Sequence, residues 1–206
     1  MNFKVIGAGL AGVEAAWQIA QSGNKVTLYE QKPNKKSPAH KSDNFAELVC
    51  SNSLKASRID SAAGLLKEEM QRFGSLTVPI AKQCSVAEGG ALAVDRDLFS
   101  GAVTEKIKNC KNIEIVYAEQ DEIPLASNDI TVVATGPLTD GKMAESIKKL
   151  CGDYLSFYDA AAPIVTADSI DPNIVFGASR YGRGGENDAE LCKTCSGWRA
   201  FSFLFD

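Results

Sequence analysis

The sequence predicts a three-layer α/β domain built on a mainly parallel sheet. Three observations predict it. Short apolar runs alternate with amphipathic stretches along the chain. The first apolar run passes through a glycine-rich turn into a helix-forming stretch and then a second apolar run, all within the first thirty residues. A later run, Ile130 to Ala134, ends on the small-residue turn Ala134-Thr135-Gly136.

The elements follow in order. Phe3-Lys4-Val5-Ile6 reads as a short buried strand. Val13 to Ser22 is helical in composition, with Ala15, Ala16, Trp17, Ile19 and Ala20 as the buried face and Gly23 at its end. Lys25 to Tyr29 is a second strand, and it ends on Glu30. Residues 31–53 read as a loop, punctuated by Pro33, Asn34, Ser37, Pro38 and Asn44. A loop of that length is usually functional or disordered. Asp60 or Ser61 caps a helix running to about Phe73, with Leu65, Leu66, Met70 and Phe73 as a core-facing stripe and Gly74 as its stop. Asp97 to Lys108 is a further helix, and Asn112 to Ala118 and Ile130 to Ala134 are strands. Ile174-Val175-Phe176 is another strand candidate.

A length of 206 residues suits one large domain or one and a half small ones, and an apolar content of 45% supports a true core. No stretch approaches the 18 or so consecutive apolar residues of a membrane span, and no signal peptide is visible, so a cytoplasmic location without membrane contact is expected. The cysteines at 50, 84, 110, 151, 192 and 195 then read as reduced thiols. Cys192-Lys-Thr-Cys195 has metal-ligand spacing, but no second pair and no nearby histidine supports it, so no metal is expected. The net charge of −4 does not announce nucleic acid. Locally, however, Lys32, Lys35, Lys36, Lys41, Lys55 and Arg58 face only Asp43 and Glu47. That segment is either a solvated loop or a basic surface.

Chemistry begins at the first turn. Gly7-Ala8-Gly9-Leu10-Ala11-Gly12 has the G-x-G-x-x-G spacing of a Rossmann-like dinucleotide site. Gly7 permits the tight turn, Gly9 lets the backbone approach a pyrophosphate, and Gly12 lets helix and strand pack closely. The helix N-terminus offers N–H groups and partial positive charge to phosphates. Glu30 is placed to accept hydrogen bonds from a ribose diol. The competing reading is a purely structural glycine turn. The glycines do not separate nicotinamide from flavin cofactors, which share the pyrophosphate. Thr135 and Gly136, after a late strand, fit the second contact typical of two-dinucleotide flavoproteins, which points to FAD.

Cys50 is the candidate nucleophile. It sits in Asn44-Phe45-Ala46-Glu47-Leu48-Val49-Cys50-Ser51-Asn52-Ser53-Leu54, with Lys55 and Arg58 following. Nearby cations and hydrogen-bonding side chains favour the thiolate, the nucleophilic form. A buried inert cysteine is the plainer alternative. His40, the sole histidine, is either a general base or a structural residue.

These segments together resemble the bacterial flavin- and folate-dependent tRNA (uracil-5-)-methyltransferases, the TrmFO or Gid group. The resemblance is carried by the glycine turn with Glu14-Ala15-Ala16, then Pro38-Ala39-His40, then Phe45 to Leu54. Gly64 to Met70, Gly89 to Arg96, Ala134 to Leu138 and Asp159 to Val165 continue it in collinear order. It covers residues 1 to about 181, and Ala46-Glu47-Leu48-Val49-Cys50-Ser51-Asn52-Ser53 is its most specific part. The resemblance implies an FAD enzyme that takes a one-carbon unit from methylenetetrahydrofolate, oxidises NAD(P)H, and methylates C5 of the T-loop uridine in the T-arm of tRNA. It implies that Cys50 is the catalytic thiol. It gives the basic residues between Lys32 and Arg58 a reading as part of a tRNA-facing surface.

Members of that family are longer than this chain. The expectation is therefore an FAD-binding domain, in its N-terminal part, over residues 1–181, followed by a non-family tail over 182–206 produced by a frameshift, and an inactive fragment. Three other readings stay open: a flavin-binding or tRNA-interaction module without catalysis, a flavoprotein acting on the tRNA wobble uridine, and a generic NAD(P)H-dependent oxidoreductase.

Overall fold

The computed structural model describes residues 2–87, 90–124 and 129–152. Apart from Ala87, all of these belong to one unit, Met1–Val86 with Gly90–Ala160. The Ile174 strand candidate, the boundary expected at residue 181, the Asp159 to Val165 segment and the Cys192/Cys195 pair lie outside the described residues.

The fold is α/β, with a parallel sheet at its centre. Strand β1 (Phe3–Ile6) lies between β2 (Val26–Glu30) and β7 (Ile130–Val133), and β6 (Ile113–Tyr117) pairs with the far edge of β2, giving the order β6-β2-β1-β7. All three pairings are parallel, with Phe3 opposite both Val26 and Ile130, and Val26 opposite Ile113. Parallel strands need a crossover connection. Helix α1 (Leu10–Gln21) supplies the one between β1 and β2. It starts a turn earlier than its composition suggests. Its buried residues are Gly12, Val13, Ala16 and Ala20, a single stripe at helical spacing, while Ala15, Trp17 and Ile19 pack around its margin. Glu14 interrupts that apolar stretch for a reason that involves another helix. Its carboxylate accepts the backbone N–H groups of Leu76 and Thr77, both at 3.0 Å, and the Thr77 hydroxyl at 2.9 Å. It thereby caps α3 (Thr77–Gln83), which has no cap from its own N-cap residue.

Helix α4 (Arg96–Lys108) is capped by Asp95, whose carboxylate accepts from the N–H groups of Asp97 and Leu98. Phe99, Val103 and Ile107 enter the core. Ser100 and Thr104, on the same face, are buried polar residues that hold a loop, as described below. Helix α5 (Gly141–Cys151) follows β7 and buries Met143.

Helices α3 and α5 are not marked by the sequence signals above, and two further features depart from expectation. A small antiparallel sheet, in the order β3 (Ser53–Ala56), β5 (Ala91–Val94), β4 (Ser85–Val86), flanks the parallel one. Its strands are too short and too mixed in composition to show a period. The second departure is a correction. Helix α2 (Ala62–Arg72) forms where expected, with Ser61 accepting from Gly64 N–H at 3.1 Å, but its Leu65, Leu66 and Phe73 are not core: they are 46%, 55% and 80% exposed. The only buried residue of the helix is Gly64, where a Cβ would lie 1.7 Å from the carbonyl oxygen of Arg58. Close backbone contact at Gly64 turns that side of the helix inwards and leaves the leucines outside.

Candidate functional site

A cleft of about 400 Å³ opens beyond the carboxyl ends of β1, β2 and β7. This is where open α/β sheets bind ligands, at the point where successive connections leave in opposite directions. From β1 the chain goes to β2 on one side, and β7 lies on the other.

The cleft floor is the glycine turn. Gly7 adopts φ +97°, and a Cβ on it would sit 2.6 Å from the Ala134 carbonyl oxygen. A Cβ on Gly12 would sit 1.7 Å from the carbonyl oxygen of Gly7. Both positions therefore exclude any side chain on packing grounds. Gly9 differs, since a Cβ there would meet nothing within 4 Å. Among the described residues nothing packs against that position, which leaves room for a ligand to approach the backbone. Ala8, Leu10 and Ala11 complete the turn and line the same cleft. Gly9 caps α1 without a side-chain hydrogen bond, and the first turn of the helix carries no acid. The helix dipole thus faces the cleft with no anion of the protein's own in that turn.

The opposite side of the floor is the turn after β7. The Ala134 N–H donates to the Ile6 carbonyl at 2.8 Å, which brings Thr135 and Gly136 beside Gly7. The Thr139 hydroxyl donates to the Gly136 carbonyl at 2.6 Å and lies 2.7 Å from the Thr135 hydroxyl, whose proton it can accept, fixing that turn.

Glu30 lies at the end of β2 and is 6% exposed. Its carboxylate accepts the Ala8 N–H and the Lys32 N–H, both at 2.9 Å. It is therefore part of the turn's own structure as well as a cleft-lining acid.

A third wall comes from the long loop. Lys36, Ser37, Pro38, His40, Ala46, Glu47 and Val49 line the cleft. The Phe45 N–H donates to the Thr104 hydroxyl at 2.8 Å, and the Asn44 side chain donates to the Ser100 hydroxyl at 3.4 Å, so α4 anchors this loop from below. His40 Nδ1 and Ser37 Oγ are 2.7 Å apart. Burial, and then the charge of Lys32, hold the His40 imidazole below 6.5, its ordinary value, against the opposing pull of Glu47 and Glu30. Its resting form at neutral pH is uncharged.

Cys50 does not line the cleft, although its neighbour Val49 does. It is half-buried, and its carbonyl accepts from Arg96 Nη2 at 3.4 Å, which places it beside the start of α4 and the small sheet. The structure thus brings Gly7 to Ala11, Glu30, Thr135 and Gly136 together around one cleft, and sets both Gly12, which packs beneath the turn against Gly7, and Cys50 outside its lining.

The basic excess of the loop is largely balanced in space. Lys32 lies 3.5 Å from Glu47, Lys35 lies 2.5 Å from Glu119 and 3.7 Å from Asp140, Lys36 lies 2.6 Å from Asp43, and Arg58 lies 3.0 Å from Asp60. Glu119 and Asp140 are remote in sequence and could not be counted from the segment alone. Lys32 and Glu47 are also the residues that sequence reasoning missed in this site. No motif marks a lysine and a glutamate 15 residues apart in a loop as partners.

Among the described residues no three His, Cys, Asp or Glu side chains converge to hold a metal ion. No helix among them is long and apolar enough to cross a membrane.

The chain is similar to known proteins along most of its length. It is 58% identical over 181 residues to a protein of Lysinibacillus sphaericus named methylenetetrahydrofolate–tRNA-(uracil-5-)-methyltransferase TrmFO, covering 87% of this chain and 41% of that one. It is 56% identical over 188 residues to the protein of the same name from Geotalea uraniireducens, covering 91% of this chain and 43% of that one. The chain thus spans about two fifths of the length of the curated relatives it matches. Among solved structures, Aquifex aeolicus GidA in its form I crystal shares the fold, with a TM-score of 0.53 at 19% identity over 66% of this chain and 25% of that one. The family model for glucose inhibited division protein A matches residues 2–197. With nearly the whole chain matched by that model and more than half of its residues shared with these TrmFO proteins, the chain belongs to the glucose inhibited division protein A family.

Proposed function

We propose that this chain forms the dinucleotide-holding part of an FAD-dependent methylenetetrahydrofolate–tRNA (uracil-5-)-methyltransferase, which oxidises NAD(P)H and methylates C5 of the T-loop uridine. The observation that carries the reading is the pairing of two turns around one cleft, Gly7 to Ala11 on one side and Ala134 to Gly136 on the other. The residues suit FAD. Gly9 leaves open space at the N-terminus of α1, where a pyrophosphate would take the N–H groups. Glu30, at the end of β2, has the position of a ribose-binding acid, and Thr135 and Gly136 supply a second contact. When bound, FAD supplies the hydride that takes a one-carbon unit from the formaldehyde level to methyl.

The chain's own residues have separate tasks in this reading. The glycine turn binds and orients the cofactor. Cys50 is the nucleophile that adds to C6 of uracil, because C5 becomes nucleophilic only once an enolate has formed. Residues 1–181 are the cofactor-binding segment. The balanced charge of the 32–58 segment leaves Lys41 and Lys55 as its candidates for phosphate contact.

A second reading, a binding module without catalysis, is favoured by one observation: Cys50 lies outside the lining of the cleft. Two measurements separate the alternatives. In titration calorimetry the 206-residue chain should bind FAD in preference to NAD, and preference for NAD would reject the cofactor assignment. Cys50→Ala in a full-length relative should abolish methyl transfer from labelled methylenetetrahydrofolate to unmodified tRNA while flavin is retained. Full activity in that variant would leave the module reading in place.

A further inference from the structure

Between Glu30 and Ser53 the chain forms neither helix nor strand, yet Phe45 and Ala46 are 0% exposed and Lys32 is 4% exposed. A buried segment without a backbone ladder must satisfy its polar groups through side chains and isolated backbone contacts. Glu47 takes two of the segment's amides and its buried cation. One carboxylate oxygen accepts the Lys41 N–H at 2.8 Å and the Ser42 N–H at 3.1 Å. The other faces the ammonium of Lys32, which also donates to the Asn44 carbonyl. The Lys32 and Glu47 side chains are 6% and 13% exposed, so each charge depends on the other.

The same ties reach the glycine turn from two directions. Lys32 is joined through its backbone N–H to Glu30, whose other oxygen accepts the Ala8 N–H. Ala46, adjacent to Glu47, donates its N–H to the Ala8 carbonyl at 2.9 Å. Ala46 does so at φ +50°, a left-handed conformation that a non-glycine residue adopts only where its surroundings impose it. Both polar groups of Ala8, the residue between Gly7 and Gly9, are therefore held by the loop that Glu47 organises or by the acid next to it.

We propose that Glu47 is a positioning residue for the dinucleotide cleft: through its pair with Lys32 it seats the His40 and Ala46 segments against the glycine turn. The proposal rests on the cofactor reading for the identity of the ligand, and on the loop geometry for the coupling. Burial in this seated segment is the first cause that holds the His40 imidazole below its ordinary value. The charges acting on His40 are Lys32, Glu47 and Glu30, while the other lining cations are engaged elsewhere, Lys35 with Glu119 and Asp140 and Lys36 with Asp43.

The test uses the 206-residue chain and two readouts. His40 is its only histidine, so one imidazole signal reports the loop in a nuclear magnetic resonance titration without any ligand. Lys32→Met should raise the His40 midpoint and Glu47→Gln should lower it further. In fluorescence titration with FAD, Glu47→Ala should weaken binding by about tenfold or more. Glu47→Gln keeps an acceptor for the Lys41 and Ser42 amides, and Lys32→Met/Glu47→Gln removes both charges together. The double variant should recover to within about threefold of the unmodified chain. If Glu47→Ala does not fold, the double variant against Glu47→Gln carries the comparison. Unchanged FAD affinity in Glu47→Ala, or a His40 midpoint unmoved by both single substitutions, would overturn the proposal. Failure of the unmodified chain to bind FAD would overturn the cofactor reading instead, and the His40 titration would still decide the coupling.

Discussion

Ala46 donates its backbone N–H to the carbonyl of Ala8 at 2.9 Å, across 38 residues of sequence, and does so with a positive φ of 50°. The contact joins the most specific stretch of the sequence, around Glu47 and Cys50, to the glycine turn. It sets a narrow limit on what position 46 accepts. Ala46→Val adds a branched side chain in a left-handed conformation at a site with 0% exposure, and should cost about 2–3 kcal/mol. Ala46→Gly relieves the backbone but loses a buried methyl, and should stay within about 1 kcal/mol. Urea unfolding of the two variants checks the order. Equal stabilities would mean that the contact does not constrain the loop.

The three glycines of the turn should separate by phenotype. Gly12→Ala places a Cβ 1.7 Å from the Gly7 carbonyl oxygen and should destabilise the fold by about 3 kcal/mol or more. A Cβ at position 9 meets nothing within 4 Å among the described residues, so Gly9→Val should melt near the unmodified chain while FAD binding is lost. Thermal melts paired with flavin titration distinguish the two. A Gly9→Val protein that still binds FAD would remove the pyrophosphate from that position.

Glu14 stabilises the junction of α1 and α3 and does not line the cleft. Glu14→Ala leaves the Leu76 and Thr77 donors unsatisfied and should cost about 2 kcal/mol. FAD affinity, measured where the protein remains folded, should hold. A loss of affinity greater than the loss of stability would show that Glu14 acts on the site.

Stability should fall on acidification in two steps. His40 is depressed below 6.5 by burial and by Lys32, so below 6.5 the unfolded chain takes up the proton more readily and stability declines as pH falls through the folded value. Glu47 is depressed below 4.5: burial works against this, but the Lys41 and Ser42 hydrogen bonds and the Lys32 charge outweigh it. Its contribution is present above 4.5 and is lost as pH falls through the folded value. Chemical denaturation from pH 7.5 to 4 should therefore show a His40-dependent decline first, absent in His40→Gln. A pH-independent profile between 7 and 5.5 would contradict the His40 assignment.

The thiols should differ in alkylation rate. Burial, and then the carboxylate of Asp95, raise the Cys84 thiol above its ordinary 9.0, which lowers its thiolate fraction. Cys50 should react faster than Cys84 with iodoacetamide at pH 8, by peptide mapping. A slower Cys50 would argue against a nucleophilic role.

Seven of the described elements, though not α3, α5 or the strands of the small sheet, were legible from sequence because local rules decide them. The apolar run at Phe3 to Ile6, the glycine spacing, and the Ser61 and Gly74 punctuation of α2 each act within a few residues. The cluster of Gly7 to Gly12 with Thr135 and Gly136 was legible for the same reason, since strands that end on such turns in a parallel sheet end at one edge. Distance in space was not legible. Leu65, Leu66 and Phe73 have core composition, yet contact between Gly64 and the Arg58 carbonyl decides which face of α2 turns inwards. The lysines of the long loop look unbalanced in sequence, yet Glu119 and Asp140 arrive from beyond β6 and β7 to meet Lys35. By itself the sequence determined the type of element and the chemistry of the turn, because backbone propensity and glycine geometry are properties of neighbouring residues. Only the tertiary structure decided that Lys32 and Glu47 pair, that Glu30 braces Ala8, and that Cys50 lies outside the cleft lining, because those depend on how separate elements pack and on which charges burial forces together.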